Sequence, residues 1–336
     1  MAPMAPSDET SAPAERTLRL QSVGTPTGGS MNIAFFEPLN RAWERMKHIL
    51  FQPFDLAKWL VLGFSAWLAG LADGAGGGGW KYVLDENDFP GRHNLDTGAD
   101  AFRDAGEALI LLPVIFVVIM AIAAILLLVL WLSSRAKFIY LDNVIHNRAQ
   151  IVEPWHRLRD LGNSLFLWRL GFVVACGLIV LVLLLLFFAP AATLSFSDAL
   201  AGLSYAAMVF GVLIMICLGI VAAFVALLLE GFVIPIMYKF DLKATEAWRY
   251  FLPWIKSRPL PFFLYGLFVL ALGFLVVVFF GLMCVLTCCI VALPYVGTVI
   301  LLPIWVTYRL FSVEFLAQFD PGFDLFVPVE IRAETE

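Results

Sequence analysis

The stretch WLSSRAKFIYLDNVIHNRAQIVEPWHRLRDLGNSLFLWRLGF, residues 131–172, is a polar connector that long apolar runs enter and leave. The uncharged run Ala108 to Leu132 precedes it, and the run Leu165 to Ala189 follows it. Each is long enough for the roughly 20 residues that a helix needs to cross a bilayer. The connector therefore joins two membrane spans on one side of a membrane, and its pattern recurs elsewhere in the chain.

Composition agrees. Of 336 residues 61% are hydrophobic and 15% charged, with a mean hydropathy of +0.87. Soluble chains average about 45–50% apolar and about 25% charged. The fold class expected is an all-α integral membrane protein. The formal charge of −5 would argue against nucleic acid as a partner if it were uniform, and none is expected. Its distribution between loops carries more information than its sum.

Six transmembrane helices are expected, at 56–72, 108–132, 165–189, 205–229, 261–286 and 297–311. The uncharged run from Pro259 to Tyr308 must hold two of them, because one crossing at about 1.5 Å per residue does not use its length. The turn between them is placed at about Thr287 to Gly297, around Pro294. Pro190 is expected to stop the third span. The row Ala207, Gly211, Gly219 and Ala223 reads as a close-packing face of the fourth.

Residues 1–30, rich in Pro, Ser, Thr and Gly, read as a disordered cytoplasmic tail, residues 31–320 as the membrane domain and 321–336 as a second tail. No secretory signal pattern is present. The segment 72–107 reads as an extramembrane loop. Its acidic string Asp85 to Asp96 lacks the Gly and Glu that a calcium loop needs, with Pro90 and Asp96 in their places.

Short amphipathic helices precede the spans. Leu39, Trp43, Met46 and Leu50 make one stripe, Ile151, Trp155 and Leu158 a second, and Ala244, Trp248, Phe251 and Ile255 a third. Trp43, Trp155 and Trp248 are read as interfacial anchors, set in RAWER, EPWHR and EAWR. Spans also end alike, with Phe138, Phe232 and Phe311 near Arg135, Glu230 and Arg309. This order suggests a three-fold internal repeat of parallel units; the alternative is that Trp simply favours interfaces. Lys and Arg crowd the three connectors and are sparse in the opposite loops, so both termini are expected on the cytoplasmic side of a bacterial inner membrane.

FFEPLNRAW, FQPFDLAKWLVLGFSAWLAGL, SSRAKFIYLDNVI, EPW and GFVIPIMY carry a resemblance to a family of uncharacterised bacterial multi-pass membrane proteins. More distantly the chain resembles the six-helix membrane domain fused to some glycerophosphoryl diester phosphodiesterases. The resemblance implies a membrane module over most of residues 31–320. It does not carry the phosphodiesterase activity, for which this chain has no soluble domain.

Polar and ionisable groups near span ends are the candidates for a polar site: Asp142, Asn143, His146, Arg148, Arg169, Glu230 and Arg309. In LDNVIHNR, Asp142 and His146 share a helix face at i, i+4. One reading is a site that orients a headgroup or partner. The other is internal ion pairing and capping, with the basic residues touching anionic lipid. Spans nearly free of charge argue against an ion pathway. No catalytic motif is present, and no cofactor or metal is expected; Cys284, Cys288 and Cys289 lack a further soft ligand beyond Met283. The partners expected are membrane lipids and a protein at the cytoplasmic face. The function expected is a non-catalytic membrane protein of envelope homeostasis, with a transporter or transport accessory as the alternative and a lipid-modifying enzyme third.

Overall fold

The computed structural model describes residues 33–73, 105–194, 201–287 and 293–326. The expectations for residues 1–30, the acidic string 85–96, Cys288, Cys289 and the last ten residues fall outside them. Among the described residues the chain is helical and contains no strand.

In order, the helices are α1 (Phe36–Phe51), α2 (Leu56–Gly70), α3 (Ala105–Ile145), α4 (Val152–Arg157), α5 (Arg159–Leu194) and α6 (Ala201–Leu228). A π turn, Leu229–Val233, joins α6 to α7 (Ile234–Phe240). Then come α8 (Ala244–Ser257), α9 (Pro259–Leu286), α10 (Pro294–Ile300) and α11 (Leu302–Ala317).

Among the described residues, four helical stretches are long and apolar enough to cross a membrane: Pro113–Ile145, Arg159–Phe187, Ala206–Phe240 and Pro259–Leu286. The apolar α2, at 15 residues, is shorter. The stretch expected as a last span is divided. α10 ends at Ile300 and α11 begins at Leu302, because Pro303 has no N–H and its ring crowds the carbonyl one turn back. Pro190, by contrast, does not end its helix: α5 runs on to Leu194. Membrane helices tolerate proline where neighbours re-satisfy the freed carbonyl.

The 33 residues of Pro113–Ile145 reach about 50 Å at 1.5 Å per residue, well beyond the roughly 30 Å of hydrocarbon. Their burial divides accordingly. Val114 to Leu128 are exposed, whereas every residue from Ser133 to Val144 is buried, including Ser133, Ser134, Arg135, Lys137, Asp142 and Asn143. The apolar half is exposed and the polar half faces protein.

The chain forms two compact units, described separately. The first comprises Met1–Arg41, Ser164–Leu272 and Phe311–Glu336. Its core is aromatic. Phe232, in the π turn, contacts Phe251, Phe262, Tyr265 and Phe315, with ring centroids at 5.4, 5.4, 4.7 and 6.0 Å. Gly231 lets that turn approach: an added Cβ would lie 3.0 Å from the Tyr265 hydroxyl, which is hydrogen-bonded to Ser312 Oγ at 2.8 Å. The small-residue row on α6 is used in part. Gly211 packs on Phe187, while Gly219 meets nothing within 4 Å.

The second unit comprises Ala42–Asn163 and Gly273–Leu310. Asp55 caps α2 by accepting from the amides of Ala57 and Lys58. α2 then packs along α3, where Ser133 Oγ donates to the Ala69 carbonyl at 2.6 Å and Lys137 pairs with Asp73. α10 closes over α2, with Trp59 Nε1 donating to the Val299 carbonyl at 2.9 Å and Tyr295 to that of Leu60 at 3.0 Å.

Candidate functional site

The polar site expected in LDNVIHNR is built where α3 leaves its apolar environment. Asp142 and Asn143 are both 0% exposed. A carboxylate buried in this way is costly unless paired and hydrogen-bonded. Asp142 receives Arg148 Nη2 on Oδ2 at 2.8 Å and Arg157 Nη2 on Oδ1. His146, one turn on, places Nδ1 3.3 Å from Oδ1.

Asn143 acts on the same connector. Its Nδ2 donates to the Gln150 carbonyl at 2.9 Å, and its Oδ1 accepts from the Gln150 amide at 3.1 Å. The helix ends at Ile145, and Asn147 adopts a left-handed conformation, φ 52, that Asn tolerates well. Lys58 Nζ donates to the Asn147 side chain and to the Ile49 carbonyl. Asp142 and Asn143 together thus fix residues 146–157 to the end of α3. Arg148 also reaches Glu153 at 3.6 Å, so the two arginines and two carboxylates balance.

Arg157, which the sequence reading places only among charges flanking Trp155, is a full member of this cluster. Its signal is weak in sequence because it lies fifteen residues from Asp142, on a different helix. Arg309 belongs to the same unit; it is 7% exposed and lies within electrostatic reach of Tyr140. Arg169 and Glu230 belong to the other unit. Arg169 is 8% exposed on α5, and Glu230 lies half-buried in the π turn. There Glu314, buried on α11, has Arg41 at 3.8 Å. On the same unit's surface, burial and the nearby Asp320 push the Tyr250 phenol above its ordinary range.

The three tryptophans divide. Trp43 is 46% exposed, whereas its predecessor Ala42 is 0% exposed and seats α1. Trp248 stacks on Trp168 at 5.4 Å, while Ala247, 0% exposed, seats α8. Trp155 meets Trp131 edge-on at 5.9 Å, and Pro154 is the buried residue of α4. In each helix the small or cyclic residue before Trp makes the inward contact. Of the expected stripes, Met46 and Leu50 on α1 and Ala244 and Phe251 on α8 are buried, joined by Ala42 and Ile49 on α1 and by Ala247 and Trp254 on α8, while Trp43 is exposed and Trp248 half-buried.

A second cation, Arg135, sits one to two turns before Asp142 on α3. Its guanidinium carbon is 4.4 Å from the centroid of Trp131 and 5.1 Å from that of Trp155. Nε and Nη2 donate to Asn163 Oδ1 at 3.3 and 2.9 Å. Gly162 permits the approach of α5, because a Cβ there would stand 2.7 Å from Arg135 Cγ and 3.2 Å from its Cα. Among the described residues no three His, Cys, Asp or Glu side chains converge as a metal site would require.

Residues 34–326 match the model of DUF7544, a family of unknown function. No curated protein and no solved structure matches the chain.

Proposed function

We propose, from the premise that the chain belongs to the DUF7544 family of unknown function, that it is a non-catalytic protein of the bacterial inner membrane that engages lipid or a protein partner at its cytoplasmic face. In this reading the chain crosses six times with both termini cytoplasmic, α2 and the α10–α11 pair supplying the two crossings beyond the four long helices. Such an architecture is also what the distant resemblance to the phosphodiesterase-linked membrane domain implies.

The observation that carries the reading is how the polar groups of the connector are used. Asp142 is 0% exposed and its two oxygens meet Arg148 and Arg157 of its own connector, which supports a structural rather than an acid–base role for this carboxylate. The large exposed side chains of Val114 to Leu128 offer only apolar surface, which suits acyl chains. Three-fold repetition has further support. Phe138, Phe232 and Phe311, at equivalent places after the spans, are each 0% exposed, and Ala42, Pro154 and Ala247 each seat a Trp-bearing helix.

Gently purified full-length protein is expected to retain a discrete lipid or a protein partner in native mass spectrometry. A monomer carrying neither would overturn the reading. The topology has its own test: a reporter joined to the C-terminus should be active in its cytoplasmic form, and activity only in an exported form would refute six crossings.

A further inference from the structure

Asp142 and Arg135 lie two turns apart on α3 and face opposite electrostatic situations. The arginines at Asp142 are matched by carboxylates. Arg135 is 8% exposed, and among the described residues it has no carboxylate partner. A guanidinium carries five N–H donors. Here two of them share one acceptor, Asn163 Oδ1, and Nη1 makes no hydrogen bond to a described residue.

The indoles of Trp131 and Trp155 attract the cation but neither neutralise it nor accept its in-plane hydrogen bonds. The charged groups acting on it are Arg159, of the same sign, and Asp160, both exposed. Summed over these three groups the site keeps one positive charge. Burying an ion costs several kcal/mol after relaxation, which an external anion would offset.

Depth favours one source of that anion. The uncharged run that begins at Ala108 ends at Leu132, which puts Arg135 at the level of the headgroups. Trp131 stands where interfacial tryptophans cluster. A planar guanidinium with a free edge is suited to phosphate, which it contacts by paired, charge-assisted hydrogen bonds.

We propose that Arg135, held between Trp131 and Trp155 with Arg159 beside it, binds a phosphate group carried by a phospholipid headgroup. This rests on the lipid-binding reading above and gives it a location and a ligand class. Asn163 positions the guanidinium from one side, Gly162 allows the helix to approach its stem, and Arg159 supplies the second cation from the surface.

The test is native mass spectrometry of the full chain with phosphatidylglycerol and with diacylglycerol of the same acyl chains, which lacks the phosphate. Phosphatidylglycerol should be retained in preference to diacylglycerol. Arg135→Gln should lower that retention roughly tenfold, the loss of one charge-assisted contact. Arg159→Gln, at an exposed position that leaves folding intact, should lower it severalfold. Arg135→Lys keeps the charge without the planar fork and should fall between. If inorganic phosphate displaces the lipid from wild type, while lipid binding stays sensitive to Arg159→Gln, the site holds and takes soluble phosphate as well. If wild type retains phosphatidylglycerol and neither Gln variant changes it, the site is wrong while the lipid-binding reading stands. If wild type retains no lipid, both fall.

Discussion

Asp142→Ala is expected to destabilise the protein by about 3–5 kcal/mol, the usual cost of removing one partner from a buried ionic cluster. The carboxylate is 0% exposed and holds Arg148 and Arg157. With it gone, both guanidiniums lose this carboxylate, and the connector 146–157 is left to its other attachments to α3, among them Asn143 with Gln150 and Trp131 with Trp155. Arg157 is half-exposed and would turn to water, so its share of the loss should be the smaller. Arg148, less exposed, should account for more. A double-mutant cycle separates the contributions: adding Arg148→Gln to Asp142→Ala should cost much less than Arg148→Gln alone. Unfolding of the detergent-solubilised protein, followed by helical circular dichroism, gives the readout. A loss of less than about 1 kcal/mol, the range of surface pairs, would mean that the cluster does not anchor the connector.

That anchoring role was only half legible in the sequence. The i, i+4 spacing of Asp142 and His146 puts them on one face, and the structure places them 3.3 Å apart. The arginines were visible as charges but not as partners, since Arg157 reaches Asp142 only after the chain has turned at Asn147 and entered α4. Hydropathy exposes a span because it sums over many residues. A cluster formed across a turn depends on a few backbone angles that no periodicity records.

The amphipathic helices show a similar limit. Their existence follows from alternating apolar and charged positions, and α1, α4 and α8 lie where those patterns stand. The tryptophans read as interfacial anchors within apolar stripes, a pattern that does not say which of its residues face protein. Close approach of two helices favours small residues, and Ala42 and Ala247 take the inward positions. Of the six spans expected, four apolar runs are helices of spanning length among the described residues. The division at Leu301 was harder to read, because Pro303 lies in an uncharged run whose hydropathy does not change there.

Phe232→Ala should cost about 3–5 kcal/mol, the range for emptying a buried aromatic site. Phe232 is 0% exposed and touches four rings carried by α8, α9 and α11, so its removal opens a cavity that rigid neighbours fill poorly. Its position in the π turn adds to this, because the turn places both Phe232 and Gly231 against Tyr265. Phe232→Leu keeps most of the volume and should cost under about 1.5 kcal/mol. Phe274→Ala is the contrasting case: this ring is 68% exposed on α9. Where lipid tails are the solvent, an outward Phe exchanges one apolar environment for another on unfolding within the membrane, so its loss should be nearly neutral. The comparison therefore measures which apolar surface is packed against protein and which against lipid. Equal losses for Phe232→Ala and Phe274→Ala would show that the outward face of α9 is covered by protein, and the lipid-facing assignment of that helix would fail.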